Sequence, residues 1–292
     1  MPAALDLVIV HRSQPDHVVA TVEQFLAQGV PVRVVVVDNG SAEDELARVR
    51  KGLPSEVEIL EQGANLGFGP AANVGFRWFL DQPAAASAGW LGVAPHDARP
   101  APDCVEVLLA ECERRPRAGL ASADVGDGLT PVVDRYFGAI PERARVRHGW
   151  EPAGYPHGTL MVARRDCLEE VGLFDERYFA YCEEADLALR ARDKGWQVGV
   201  VRDAEVRNAT VGSHVAVVDY LQLRNTLLLA RDHFGRYAAT VRTVVALLDL
   251  VTGLVSPDRR GPYWDVPARL LALRDFALGR YGPPPASVAS RR

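Results

Sequence analysis

Two runs of apolar, mostly β-branched residues, LDLVIV at 5–10 and VRVVVV at 32–37, bracket a helix-patterned segment. Runs this short, apolar on both faces, read as strands buried on both sides. Between them Val18, Val22, Phe25 and Leu26 recur at helical spacing, and Gly29 ends a helix expected over 16–28. Strand, helix and strand in this order make a β-α-β unit, with parallel strands and a right-handed crossover. The chain is therefore expected to be α/β, with ligands at the carboxyl ends of an open sheet's strands.

Further strands are expected at 57–60, 90–93, 198–201 and, more briefly, 204–206, with another starting over 119–122. Helices are expected from Pro70, over 102–115, after 183, over 220–234 and, amphipathic, over 267–278. The segment 126–150 is polar, with four arginines, and reads as surface without an assigned role. The tail 283–292 reads as disordered. No internal repeat is found.

A chain of 292 residues makes one large or two small domains. Its 48% hydrophobic content against 24% charged residues points to a packed core rather than disorder. A net charge of −5 and a pI near 5.8 give no general attraction to nucleic acid. Cys104, Cys112, Cys167 and Cys182 form no C-x-x-C pair, so zinc and redox-motif spacings are absent and a reducing cytoplasm is expected. The start, MPAALDLVIVHRS, lacks the basic region and long apolar core of a signal peptide. No apolar run reaches membrane-spanning length; the nearest, 244–255, is broken by Asp249 and Gly253.

Chemistry-bearing residues gather at the expected strand ends. The second strand runs into Asp38-Asn39-Gly40-Ser41, where Asp38 can accept hydrogen bonds from a base or ribose, or merely build a turn with Ser41 as a helix cap. The segment Asn65-Leu66-Gly67-Phe68, with Asn73 beyond it, is a glycine-containing loop opening a helix, a natural anion site. It matches neither the dinucleotide fingerprint nor the Walker loop. Asp97 follows the strand at 90–93 and can hold a divalent cation through oxygen, or pair with Arg99. His214 reads either as a metal ligand or phosphate contact or as a plain loop histidine.

The densest cluster is Glu183-Glu184-Ala185-Asp186, three carboxylates opening a helix after Phe174, Tyr178, Phe179 and Tyr181. A helix N-terminus favours negative charge, so solvated capping acids are one reading. Carboxylates walled from water beside one another, with raised pKa and better basicity, are the other.

Taken in order, these pieces, with Gly158 and Arg164-Arg165, Gly172-Leu173-Phe174-Asp175-Glu176, Arg190, Gly195-Trp196 and Arg224-Asn225, resemble the family 2 glycosyltransferases, particularly rhamnosyltransferase-like members. The resemblance covers roughly residues 5–234. It implies a GT-A fold: a Rossmann-like, mostly parallel central sheet flanked by helices. The expected division is a nucleotide-sugar-binding and catalytic domain at 1–234, a C-terminal helical extension at 235–282 and the tail at 283–292.

What it implies is inverting transfer of a hexosyl unit from a UDP- or dTDP-sugar to an acceptor hydroxyl. By position Glu184 matches the catalytic base, supported by Glu183 and Asp186. Asp38 and Gly40 match the donor-base contact, Asn65, Gly67, Phe68 and Asn73 the nucleotide-lining segment, and Gly158 and Arg190 the donor side. Asp97 matches the last acid of a DxD-type motif for Mg²⁺ or Mn²⁺, with His214 as a second candidate ligand. The motif is degraded, because Pro95 and His96 precede Asp97, and Arg12 at the first strand end is a candidate phosphate contact. A catalytically inactive domain that binds a sugar nucleotide or a partner is the alternative.

Expected partners are the donor and a glycan, lipid-linked or small-molecule acceptor, without nucleic acid; a homodimer is left open. The two C-terminal helices are expected either to cap the sheet or to dock on a partner or a membrane surface, giving a cytoplasmic or peripheral inner-face location.

Overall fold

The computed structural model describes residues 4–82, 88–210 and 214–291. The chain opens with β1 (Leu5–His11), α1 (Pro15–Leu26), β2 (Val32–Asp38), α2 (Glu43–Gly52), β3 (Glu58–Glu61) and α3 (Phe68–Leu80). It continues through β4 (Trp90–Pro95), β5 (Ala98–Pro100), α4 (Cys104–Glu113), β6 (Ala118–Asp124), β7 (Leu129–Asp134), β8 (Gly138–Arg143) and β9 (Trp150–Pro152). Then come β10 (Met161–Arg164), α5 (Arg165–Val171), α6 (Glu183–Asp193) and β11 (Gln197–Asn208). Three more helices close it: α7 (Val215–Val255), α8 (Val266–Ala277) and α9 (Ala286–Ala289).

The main sheet runs β3-β2-β1-β4-β10-β6-β11-β5, with β9 also on β11. The first four strands are parallel, as the β-α-β pattern requires. β10 is antiparallel to both β4 and β6. Residues alternate across β1: Leu5, Leu7 and Ile9 pack with α1, α2 and α4, whereas Val8 and Val10 pack with α3, α5 and α6. This makes a three-layer sandwich in which Phe25 on one side and Phe76 on the other are fully buried, each worth roughly 1.5–3 kcal/mol.

The segment 126–150, read as featureless surface, instead folds into the β7–β8 hairpin and leads into β9. The two strands expected at 198–201 and 204–206 are one strand, β11, with an irregularity between Val201 and Glu205.

α7 is bent at Gly235 (φ 85°, ψ 175°), a left-handed conformation that glycine adopts without a Cβ clash. The expected boundary at 234/235 therefore falls on a kink inside one helix rather than on a linker. Before the kink, α7 buries Tyr220, Leu227 and Leu228; after it, the chain returns as α8. Tyr220 Oη donates to Asp275 at 2.9 Å, and Arg269 pairs with Asp219 at 2.9 Å. The tail departs from its expected disorder: α9 docks Val288, fully buried, beside α7 and α8, and Arg291 reaches Asp265 at 3.2 Å.

Although its sequence reads as broken apolar runs, α7 is long and apolar enough to cross a membrane. Its second half, however, commits one face to the protein, burying Ala238, Ala239, Ala246, Leu250 and Gly253.

Candidate active site

The strand ends of β1 and β2, the amino end of α3 and the amino end of α6 converge. Asp38 closes β2, almost fully buried, and accepts hydrogen bonds from the backbone N–H (3.2 Å) and hydroxyl of Ser41. Ser41 thus holds Asp38 rather than capping α2, whose N-cap position is Ala42. The neighbouring Asn39 is the tie that sequence reading passed over. Its amide donates to Asn65 Oδ1 and to the Gly67 carbonyl, both at 3.1 Å, and its oxygen accepts from Leu66 N–H at 2.7 Å. Gly40 lies so close to the same loop that a Cβ would meet Ala64 at 2.6 Å.

His11 ends β1 fully buried, with neither ring nitrogen hydrogen-bonded and Nε2 3.9 Å from Asp38. Burial, then the nearby His96, pushes its pKa down to about 4, so the ring is neutral. Arg12, the next residue, is exposed at the strand end.

α3 delivers the loop to the acidic cluster. A Cβ at Gly67 would strike the Phe179 carbonyl at 2.2 Å, and one at Gly69 would touch Glu183 Cγ at 3.3 Å. Phe68, half-buried, starts α3 beside them. Asn73 is spent on the fold. Its amide donates to the Phe174 carbonyl at 2.9 Å and accepts from Phe174 N–H at 3.0 Å, so it pins the segment before α6 instead of lining a nucleotide site.

That segment is strained. Phe179, Tyr181 and Cys182 all have positive φ, near 70°, costing of order 1–3 kcal/mol each. The fully buried Asn225 of α7 offsets the cost, its amide reaching the carbonyls of Tyr178, Ala180 and Tyr181, each at 2.8 Å. Sequence reading flagged Arg224-Asn225 without a role; more than forty residues separate them from the backbone they hold.

α6 then presents its three acids in different states. Asp186 accepts from Arg190 Nε at 2.9 Å and contacts His233 Nε2 at 2.8 Å. Arg190 further donates to the carbonyls of Val171 and Leu173, so its guanidinium braces α6 and is not turned to a donor phosphate. Glu183 is buried with Oε2 unpaired; burial and the charge of Glu184 raise its pKa well above the usual carboxylate range. Burial pushes Glu184 up to about 7. Of the two, Glu184 is the one partly open to solvent. The two acids therefore titrate together, with the more deeply buried Glu183 the harder to ionise.

Glu184 faces Gly158: a Cβ there would sit 2.3 Å from Oε1. Tyr155 is close enough that the charge of Glu184, after burial, raises its hydroxyl pKa. The carboxylate, kept short of water, packs directly on the bare backbone of Gly158, which fixes where Oε1 lies.

Asp97 lies in the turn between β4 and β5, nearly buried. It accepts from Asn208 Nδ2 at 3.2 Å, Thr210 N–H at 3.2 Å and the Thr210 hydroxyl. Three of roughly four lone-pair sites are used, leaving one oxygen site for an ion that arrives with substrate phosphates. Among the described residues no group of three His, Cys, Asp or Glu side chains stands ready to hold a metal. His214, expected as a ligand, is exposed at the start of α7.

The glycosyl transferase family 2 model matches residues 6–172. The N-acetylglucosaminyl-diphospho-decaprenol L-rhamnosyltransferase of Mycobacterium tuberculosis is 29% identical, over 87% of this chain and 86% of that protein. The dTDP-rhamnosyl transferase RfbF of Shigella flexneri is 24% identical, over 77% and 80%. Among solved structures, GalNAc-T7 with UDP, GalNAc and Mn²⁺ superposes with a TM-score of 0.61 at 15% identity, covering 94% of this chain, which spans only 56% of that one. The mannosyltransferase PcManGT of Pyrobaculum calidifontis with GDP-Man and Mn²⁺ gives 0.56 at 17%, covering 95% and 80%. The match across more than half the chain, on a sheet whose strand ends meet the start of α6, establishes that this protein belongs to glycosyl transferase family 2 and has the GT-A fold.

Proposed function

We propose that the protein is an inverting glycosyltransferase that moves a hexosyl unit from a UDP- or dTDP-sugar to an acceptor hydroxyl, with Glu184 as general base. The observation that carries the reading is Glu184 itself, its pKa raised to about 7 and its oxygen facing the bare backbone of Gly158. A base poised near operating pH takes a proton most effectively.

In the step proposed, the acceptor oxygen attacks the anomeric carbon as the bond from that carbon to the diphosphate oxygen breaks. The hydroxyl proton passes to Glu184, and the nucleoside diphosphate leaves with the bonding pair. One in-line displacement inverts the anomeric centre and needs no covalent intermediate.

Asp38, Gly40 and the loop Asn65–Phe68 would hold the nucleoside, the loop locked by Asn39. Asp97 would give one oxygen to a Mg²⁺ or Mn²⁺ ion, whose charge offsets that gathering on the leaving diphosphate. Asp186, Arg190, Asn73 and Asn225 keep α6 and its approach in place. Two relatives named as rhamnosyl transferases favour a dTDP-linked deoxyhexose donor, and one named for a decaprenol-linked substrate favours a lipid-linked acceptor.

The test is product analysis with dTDP-rhamnose or UDP-hexoses and a polyprenyl-diphosphate-sugar acceptor. A new glycosidic bond of inverted configuration is expected. Retention would overturn the mechanism. Nucleotide-sugar binding without transfer to any acceptor would favour the inactive, ligand-binding alternative.

A further inference from the structure

Beyond the kink at Gly235, the second half of α7 is amphipathic the wrong way round for a helix facing water. Its inner face buries Ala238, Ala239, Ala246, Leu250 and Gly253 against the protein. Its outer face exposes Val244, Leu247, Leu248, Val251, Leu254 and Val255, between 45% and 77% accessible. These positions recur at intervals of three and four, so they form one stripe. Tyr237, 74% exposed, extends it by two turns, and Tyr263 stands exposed beyond its far end. From 237 to 255 the stripe is roughly 27 Å long. The β7–β8 hairpin meets it: the rings of Tyr136 and Tyr237 are 6.5 Å apart, and Phe137 at the hairpin tip is 53% exposed.

Charge decides what covers this surface. The chain as a whole carries −5, yet from residue 235 onward nine arginines face four acids. Arg236 stands exposed at one end of the stripe and Arg259 and Arg260 at the other. A second copy would bring like charges together, whereas anionic lipid headgroups would be drawn to both ends. Aliphatic residues in the middle, with tyrosines and arginines at the margins, match the depth profile of a helix lying in a membrane interface.

We infer that the second half of α7, with the hairpin tip, is a monotopic docking surface for an anionic lipid bilayer. The helix lies on the membrane rather than crossing it, because its other face is committed to the protein and carries the largely buried Arg242. Arg242 also acts electrostatically on Cys182, the residue immediately before Glu183. The lipid-facing helix therefore runs beside the amino end of α6, within reach of an acceptor that stays anchored in the bilayer. That last link rests on the proposed function; the docking itself does not.

The test is sedimentation of the full chain with phosphatidylglycerol–cardiolipin vesicles and with phosphatidylcholine vesicles, at low and high salt. Wild type is expected to bind the anionic vesicles and to be released in part by salt. Leu248→Glu with Val251→Glu should lower the partition coefficient about ten-fold or more. Arg236→Glu with Arg259→Glu should remove most of the salt dependence. Nucleotide-sugar affinity should hold in both variants, so a failed sugar-transfer reading and a failed docking surface give different results. No wild-type binding to either vesicle would overturn the inference. So would a lipid-free dimer, seen by light scattering, that the Leu248→Glu and Val251→Glu changes dissociate.

Discussion

Asp97 and Glu184 are both acids at the ends of elements, and the structure treats them oppositely. Asp97 is held by three hydrogen bonds from Asn208 and Thr210. Glu184 accepts none from another residue among the described ones; it is restrained by burial and by its own helix end. A carboxylate whose lone pairs are mostly occupied is fixed in place. One with few partners and little water has a raised pKa and is free to take a proton. The difference separates a residue suited to anchoring from one suited to chemistry.

Glu184→Gln should break the contrast most severely. Removing the base while keeping shape is expected to lower the transfer rate by about 10²–10⁴-fold, with donor affinity by calorimetry unchanged. Gly158→Ala tests the space in front of the base. The new Cβ would fall 2.3 Å from Oε1, so the carboxylate must turn away. A displacement of that size should cost on the order of 10²-fold in kcat with little change in melting temperature. Asp97→Ala should act on the other side of the comparison and more mildly. Loss of its bonds to the Asn208–Thr210 segment is expected to cost roughly 1–3 kcal/mol of stability, read by urea unfolding. Donor affinity should fall in Mn²⁺ and stay at the wild-type value in EDTA.

The parallel half of the sheet was legible because its strands are continuous apolar runs: β1, β2 and β4 fall where the pattern puts them, within one or two residues. β5, β9 and β10 have only three or four residues, too few for periodicity to register. The β7–β8 hairpin was masked by its arginines, Arg135 and Arg143, which stay exposed while Thr130 and Pro131 turn inward.

Within the site, the three acids of α6 stood out because they are adjacent in sequence. What distinguishes them did not, because it arrives from far away: His233 to Asp186, Gly158 to Glu184, and Asn225 beneath the strained approach. Arg190 and Asn73 show the converse. Both carry groups suited to a ligand, and both are used up by backbone of the segment 171–174.

The pH dependence of single-turnover transfer, with donor saturating, addresses Glu184 most directly. Because burial raises its pKa to about 7, the basic form is lost as pH falls below that point. The rate should climb close to ten-fold per pH unit on the acid side, bend near 7 and level off above, and the bend should vanish in Glu184→Gln. A profile already level from about pH 5 upward, or one whose bend survives that substitution, would contradict Glu184 as the proton acceptor.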